Sequence, residues 1–256
     1  MPEAPVVLVT GASAGIGAAT GRRFAREGAR VLLAGRRRDR LEALAAELNN
    51  AAERRSTAEV IVLDVRDRAA VYATLPALAE AHGGLDVLVN NAGLALGTGP
   101  AQEASPDDWD TVIDTNVKGL VHVTRALLPG MVQRDRGHIV NIGSVAGSYP
   151  YPGGHVYGAS KAFVEQFSLN LRADLLGTQV RVSNVEPGMV ETEFSLVRTG
   201  DAEKAGAVYR GMTPMTADDI ADIVFFCWTR PPHLNVNRIE VMATAQAFGP
   251  FAVHRR

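Results

Sequence analysis

Four unbroken apolar runs punctuate the first 90 residues: Val6-Val7-Leu8-Val9, Val31-Leu32-Leu33-Ala34, Val60-Ile61-Val62-Leu63 and Val87-Leu88-Val89. None alternates polar with apolar, as a strand with one wet face would, so each reads as a strand buried on both sides. The stretches between them read as helices. One follows Gly17, carries Phe24 and stops at Gly28. Another spans 38–54, with Leu41, Leu44 and Leu48 at three- and four-residue spacing, and a third spans 67–81 with Asp67 as its cap. Further strands are expected at 139–142, 180–183 and 239–242, and further helices at 106–132, 155–176 and 216–228. Strand–helix alternation of this kind implies a parallel sheet with helices on both faces. The expectation is an α/β, Rossmann-like doubly wound fold, built as a single domain over 1–256.

The composition narrows the partners. Lys plus Arg is 26 against 28 Asp plus Glu, a net charge of −2 that gives no general pull towards nucleic acid or an anionic membrane. No apolar run approaches the roughly 18 residues of a membrane span. Residues 1–10 lack a basic leader pattern, and Cys227 is the sole cysteine, so a cytoplasmic setting is expected. The six histidines are scattered, and no metal is expected.

Thr10-Gly11-Ala12-Ser13-Ala14-Gly15-Ile16-Gly17 joins the first strand to the first helix. Glycines there let a pyrophosphate approach the backbone, and the helix start offers free N–H groups; a purely structural turn is the other reading. The second strand ends in Gly35-Arg36-Arg37-Arg38, where an NAD site would place an acidic residue for the ribose 2′-hydroxyl. Arg36 and Arg37 suit a 2′-phosphate instead, which points to NADP(H). They also sit at a helix start, which disfavours cations that have no partner. Asp64-Val65 follows the third strand, where a carboxylate can accept from the adenine amino group.

Tyr157 and Lys161 are four residues apart on a predicted helix and share a face. Ser144 lies just beyond the 139–142 strand, on the side where open α/β sheets bind ligands.

With these residues in place, the chain resembles the short-chain dehydrogenase/reductase family over nearly its whole length. The matching pieces are the glycine turn 10–17, Asn90-Asn91-Ala92-Gly93, Asn116, Ser144, Tyr157-Gly-Ala-Ser-Lys161, and Pro187-Gly188 followed by Thr192. Within the family it looks most like NADP-dependent 3-hydroxy acid dehydrogenases, on the strength of segments 91–97, 124–131, 166–172 and the tail Val253-His254-Arg255. The resemblance implies a catalytic set of Asn116, Ser144, Tyr157 and Lys161. It implies cofactor contacts from Gly11, Ser13, Gly15, Ile16, Gly17, Arg36, Arg37, Asp64, Val65, Asn91, Ala92, Gly93, Tyr157, Lys161, Pro187, Gly188, Val190 and Thr192. In the family the asparagine matching Asn116 holds a water that links the lysine to solvent; a polar residue bonded to backbone is its other reading. Free tyrosine titrates near 10. The Lys161 ammonium and an oxidised nicotinamide are expected to lower Tyr157 into the working range, with Ser144 holding the substrate oxygen.

Residues 189–215 show weak periodicity and read as a substrate lid, with a tail over 243–256. Arg198, Lys204, Arg210, Arg255 and Arg256 are candidates to meet an anionic substrate, and Ser144 and Tyr157 to meet its hydroxyl. The expected substrates are short 3-hydroxy acids or β-hydroxy amino acids such as 3-hydroxypropionate, serine and allo-threonine. Sulfoacetaldehyde or another small aldehyde or ketone is an alternative. A non-catalytic NADP sensor is a reading of another class, disfavoured because sensing needs no acid–base group. Ser144 has no evident His–Asp pair, which disfavours a hydrolase. Val121, Leu127 and Phe167 put apolar residues on several sides of two long helices. The family pairs these helices between subunits and is usually tetrameric, so a homotetramer is the expectation; core packing is the alternative.

Overall fold

The apolar runs form seven strands: β1 (Val6–Thr10), β2 (Arg30–Gly35), β3 (Thr57–Val62), β4 (Val87–Asn90), β5 (Gly137–Ile142), β6 (Val180–Pro187) and β7 (Arg238–Val241). They lie in one sheet, ordered β3-β2-β1-β4-β5-β6-β7, with every pairing parallel. This computed structural model describes residues 4–50, 57–248 and 252–255. The helices are α1 (Gly15–Arg26), α2 (Arg38–Asn50), α3 (Arg68–Ala81), α4 (Pro106–Ile113), α5 (Leu120–Gln133), α6 (His155–Asp174), α7 (Phe194–Thr199), α8 (Ala202–Tyr209) and α9 (Ala217–Trp228).

The two-residue repeat of a strand divides the core. In β1, Val7 and Val9 pack with Phe24, Leu41 and Val224 on the face covered by α1, α2 and α9. Val6 and Leu8 point the other way, to Val71, Leu75, Leu127 and Leu171 of α3, α5 and α6. Leu127 is thus a core residue, and Phe167 packs against the same cluster. Strand order reverses between β1 and β4, which leaves a crevice at their carboxyl ends. Among the described residues no helix is long and apolar enough to cross a membrane.

Several local expectations change. The 106–132 helix is interrupted: a π-helical stretch, Asp114–Gly119, separates α4 from α5. Such a bulge leaves amphipathic spacing nearly intact, so periodicity does not report it. Helix α1 begins at Gly15, ahead of Gly17, and β3 begins at Thr57. The 38–54 helix is described to Asn50; 51–54 lie outside the described residues. The weakly periodic stretch 189–215 contains two helices, α7 and α8. Asp201 caps α8 by accepting from the Glu203 and Lys204 N–H groups. Helices of six and eight residues are too short for an apolar stripe to repeat. Asp67 caps α3 as read, accepting from the Ala70 N–H at 3.0 Å.

Candidate active site

One cleft of about 430 Å³ opens at the switch point. Gly11, Ser13, Gly15, Ile16, Arg36, Arg37, Asp64, Val65, Asn91, Ala92, Gly93, Ser144, Tyr157, Lys161, Pro187, Gly188, Val190, Thr192 and Arg198 all line it.

The glycine turn supplies its floor. A Cβ on Gly17 would lie 2.5 Å from both Asn91 Nδ2 and Gly11 O, so only glycine allows the turn to press against the β4 exit. Gly11 and Gly15 have positive φ. Asn91 secures the same contact by donating to Thr10 O at 2.9 Å. Helix α1 starts from Ala14, which makes no side-chain cap hydrogen bond, so the helix start presents main-chain donors to the cleft. A stripped helix N-terminus behind a turn without side chains fits a pyrophosphate.

At the adenosine end the arginines are engaged. Arg37 donates to Ser13 Oγ at 3.0 Å and to Glu193 Oε2 at 3.0 Å, and Arg40 donates to both oxygens of Glu193 at 2.7 Å. Glu193 is therefore the partner that cations at a helix start require. Arg36 is exposed at the rim of the cleft. Asp64 accepts a bidentate contact from Arg66, which holds its carboxyl below the ordinary range, while the residue still lines the cleft.

At the catalytic end, Ser144 caps the short turn Val145–Gly147, accepting from Ala146 N–H at 3.1 Å and donating to Pro187 O at 3.4 Å. Lys161 is buried and donates to Ile142 O at 2.8 Å, with its ammonium 5.8 Å from the Tyr157 ring centre. Burial pushes Lys161 down to about 8. Burial also raises Tyr157 above the ordinary phenol range, although the Ser144 hydroxyl and the Arg198 charge pull it back. The expected lowering by Lys161 is thus not what the protein's own groups produce, because desolvation of the buried phenol outweighs the pull of Ser144 and Arg198. Gly93 makes room here: its Cβ would sit 3.2 Å from Asn116 Oδ1 and 3.6 Å from Lys161 Nζ. Asn116 is 1% exposed, accepts from Leu94 N–H at 2.9 Å, and donates to Leu94 O and Ser160 Oγ. Its amide ties the β4 exit to α6, in line with the backbone-bonded reading.

Arg198 of α7 lies over the Tyr151 ring and donates to Gly97 O and Gly153 O, both at 3.3 Å. Lys204 pairs with Asp201 at 3.9 Å. Arg255 is not part of the cleft lining but donates to the carbonyl of Val208, which is, and to that of Arg210, so it fastens to the end of α8. Arg256 lies outside the described residues. Residues missed by sequence reasoning include Tyr149, Tyr151, Phe194 and Gln246, all lining the cleft. Phe194 packs on Tyr157 with ring centres 5.4 Å apart, and Gln246 accepts from Met189 N–H at 2.8 Å. One signal was available: aromatics are 6% of the chain, yet Tyr149 and Tyr151 sit five and seven residues after Ser144.

A reversed-order parallel sheet with a phosphate turn, a serine, a tyrosine and a lysine on one cleft defines a dinucleotide-dependent oxidoreductase. Residues 5–201 match the short chain dehydrogenase family. The chain is 56% identical to the NADP-dependent 3-hydroxy acid dehydrogenase YdfG of Salmonella typhi over 252 residues, covering 98% of this chain and 99% of that one. It is 55% identical to sulfoacetaldehyde reductase 2 of Chromohalobacter salexigens over 252 residues, covering 98% of each. The closed form of a serine dehydrogenase complexed with NADP+ superposes with a TM-score of 0.89 at 52% identity, covering 98% of this chain and 100% of that one. This protein belongs to the short-chain dehydrogenase family and is an enzyme of that class.

Proposed function

We propose that the enzyme is NADP-dependent and moves hydride between the nicotinamide and a short 3-hydroxy acid or β-hydroxy amino acid. The observation that carries the substrate class is Arg198. It stands in the catalytic cleft, its hydrogen bonds go to neutral groups, the Gly97 and Gly153 carbonyls and the Tyr151 hydroxyl, and among the described residues no carboxylate pairs with it. An anionic substrate supplies the missing charge. A sulfonate satisfies that guanidinium as well as a carboxylate does, so sulfoacetaldehyde is the second reading, supported by the likeness to a reductase of that compound.

NADP, when bound, supplies or accepts the hydride and, when oxidised, adds positive charge beside the tyrosine. Tyr157 takes the alcohol proton in oxidation and returns it in reduction. Ser144 hydrogen-bonds the reacting oxygen and stabilises developing negative charge there. Lys161 keeps a cation beneath the tyrosine from its perch on Ile142 O. Arg36 and Arg37 would hold the 2′-phosphate of that cofactor. Residues 189–215 act as a lid, and Arg255 braces it through the Val208 and Arg210 carbonyls. A homotetramer is supported by Val132, Phe163 and Leu169, which α5 and α6 leave exposed; light scattering on the purified protein tests it. A cytoplasmic setting suits a single, buried cysteine.

Initial rates with NADP+ and NAD+ test the reading, using serine, 3-hydroxypropionate, 3-hydroxybutyrate, isethionate and a neutral alcohol. The expected result is NADP+ preference with carboxylate substrates, and a larger KM increase for those acids than for the neutral alcohol in Arg198→Met. Preference for isethionate selects the sulfonate reading. Preference for the neutral alcohol removes the anion assignment.

A further inference from the structure

Behind the catalytic cleft, a single guanidinium on the edge strand β7 reaches three separate elements. Arg238 Nε donates to Glu186 Oε2 at 2.6 Å, Nη1 to Glu165 Oε1 at 2.6 Å, and Nη2 to Ser148 Oγ at 2.6 Å. A longer contact runs from Nη2 to Glu240 Oε2 at 3.5 Å.

The addresses of these partners matter more than their number. Glu186 immediately precedes Pro187-Gly188 at the end of β6, and its residue is 1% exposed. Glu165 lies one helical turn beyond Lys161 on α6, the helix that also carries Tyr157. Ser148 closes the short turn that Ser144 opens. The guanidinium therefore spans the three elements that present the hydroxyl, the acid–base pair and the floor of the nicotinamide end.

Packing transmits this grip to the cleft. A Cβ on Gly143, the residue before Ser144, would lie 2.6 Å from Asn184 Oδ1 and 3.0 Å from Glu186 Cγ, so the backbone leading into Ser144 rests on the Glu186 side chain. Asn184 Nδ2 holds the other oxygen of that carboxylate at 2.6 Å. Glu240 accepts from Tyr149 OH at 3.1 Å, and Tyr149 lines the cleft. Burial pushes Glu186 up to about 7 against the pull of Arg238, as expected for a carboxylate gathered with two other acids around one cation. Charge-assisted forks of this kind fix angle as well as distance, which a lone lysine ammonium does not.

We propose that Arg238 is a positioning residue for hydride transfer, locking the Ser144 turn, the Tyr157–Lys161 helix and the Pro187–Gly188 strand end in register. The proposal rests on Ser144, Tyr157 and Lys161 being the catalytic set. Arg238 touches neither substrate nor cofactor; it acts through the three elements it clamps. Displacing a reacting group by around 1 Å costs about 100-fold in rate, which sets the scale of the effect.

The experiment uses the full-length protein in five variants: Arg238→Ala, Arg238→Lys, Ser148→Ala, Glu165→Gln and Tyr157→Phe. Arg238→Ala is expected to lower kcat by about 100-fold while the Kd for 2′,5′-ADP, a probe of the adenosine end, stays within about twofold. Added guanidinium ion at non-denaturing concentration is expected to recover part of that rate, because the site is half-exposed, whereas Arg238→Lys recovers little. Ser148→Ala removes one spoke, Glu165→Gln takes the charge out of another, and both leave Glu186 paired, so they stay folded should Arg238→Ala fail to; each is expected to lower kcat several-fold. Unchanged kcat in both single-spoke variants overturns the proposal. So does a loss in Arg238→Ala that is matched by lost 2′,5′-ADP binding and is not rescued. Full turnover in Tyr157→Phe overturns the catalytic set itself and is a separate failure.

Discussion

The two ends of the cleft are held by opposite kinds of physics. At the adenosine end the anchors are exposed and charged: Arg37, Arg40 and Glu193 each keep more than two-fifths of their side-chain surface in water, and Asp64 and Arg66 keep about a third. At the catalytic end Lys161 and Asn116 are buried, 7% and 1% exposed, and their partners are backbone carbonyls, a backbone amide and a serine. Exposed pairs are individually weak and screened by salt, so they suit a group that comes and goes. Buried polar groups are costly to leave unmatched, so they suit atoms that must not move. The cleft thus pairs an exposed, charged end suited to an exchangeable anion with a buried end suited to groups held in fixed positions.

The sharpest way to separate the ends is to break chemistry without touching recognition. Tyr157→Phe removes the phenol hydroxyl to which the acid–base role is assigned and keeps the ring against Phe194. Turnover is expected to fall by at least about 1,000-fold, with NADP+ affinity by fluorescence titration within about twofold. Residual turnover near that of the parent would move the acid–base role away from Tyr157.

The burial of Lys161 gives the catalytic end a pH signature on the alkaline side, whereas the lowered carboxyls Asp64 and Glu193 at the adenosine end titrate on the acid side. Folding moves Lys161 down from 10.5 to about 8, so between those values the unfolded chain binds a proton that the folded chain does not. Stability therefore rises with pH across that window, and below it the burial cost is fully present. The rise is on the order of 3 kcal/mol from this group. Lys161→Met is expected to flatten the climb in Tm between pH 8 and pH 10 relative to the parent. A parallel climb in both proteins would mean that the ammonium is better solvated than its bond to Ile142 implies.

Arg36 and Arg37 offer the converse test. Arg36→Ala with Arg37→Ala is expected to weaken NADP+ binding by about 30-fold, the scale of a lost charge-assisted phosphate contact, and NAD+ binding by less than about twofold. The same loss should shrink as salt rises from 50 to 500 mM, since exposed charges are the ones screened. Equal losses for both cofactors would assign the arginines to the fold instead of the 2′-phosphate.

The contrast also explains what the sequence made legible. The sheet was readable because strands buried on both faces leave continuous apolar runs, as in β1 and β4. The glycine turn and Ser144 were readable from their places at strand ends, and Tyr157 and Lys161 from their four-residue spacing on one helix face. Glu193 was not, because its partners Arg37 and Arg40 lie more than 150 residues earlier and nothing local in Thr192-Glu193-Phe194 announces them. Helices α7 and α8 escaped because they are short and held by tertiary links, such as Tyr209 OH donating to Val190 O at 2.8 Å. The π-helical stretch at Asp114–Gly119 left no trace in residue spacing, although it carries Asn116. Arg238 was invisible for the reason Glu193 was: one of its partners is 90 residues away and another 73.

Glu193 is where the comparison is most finely balanced. Its carboxylate sits on Arg37, the residue assigned to the 2′-phosphate, and it belongs to the segment that carries Phe194 onto Tyr157. A phosphate arriving at Arg37 must share the guanidinium with Glu193 or displace it. Exposed pairs contribute about 0–1 kcal/mol each, so the competition is worth a few-fold in affinity and no more. Glu193→Gln is expected to tighten NADP+ and 2′,5′-ADP binding by about threefold and to leave NAD+ unchanged, measured by calorimetry at low salt. Weaker binding of both NADP+ and NAD+ would reverse the assignment. Glu193 would then act as a clasp that holds residues 189–215 over the whole cofactor, and the exposed end of the cleft would be a moving part of the catalytic end.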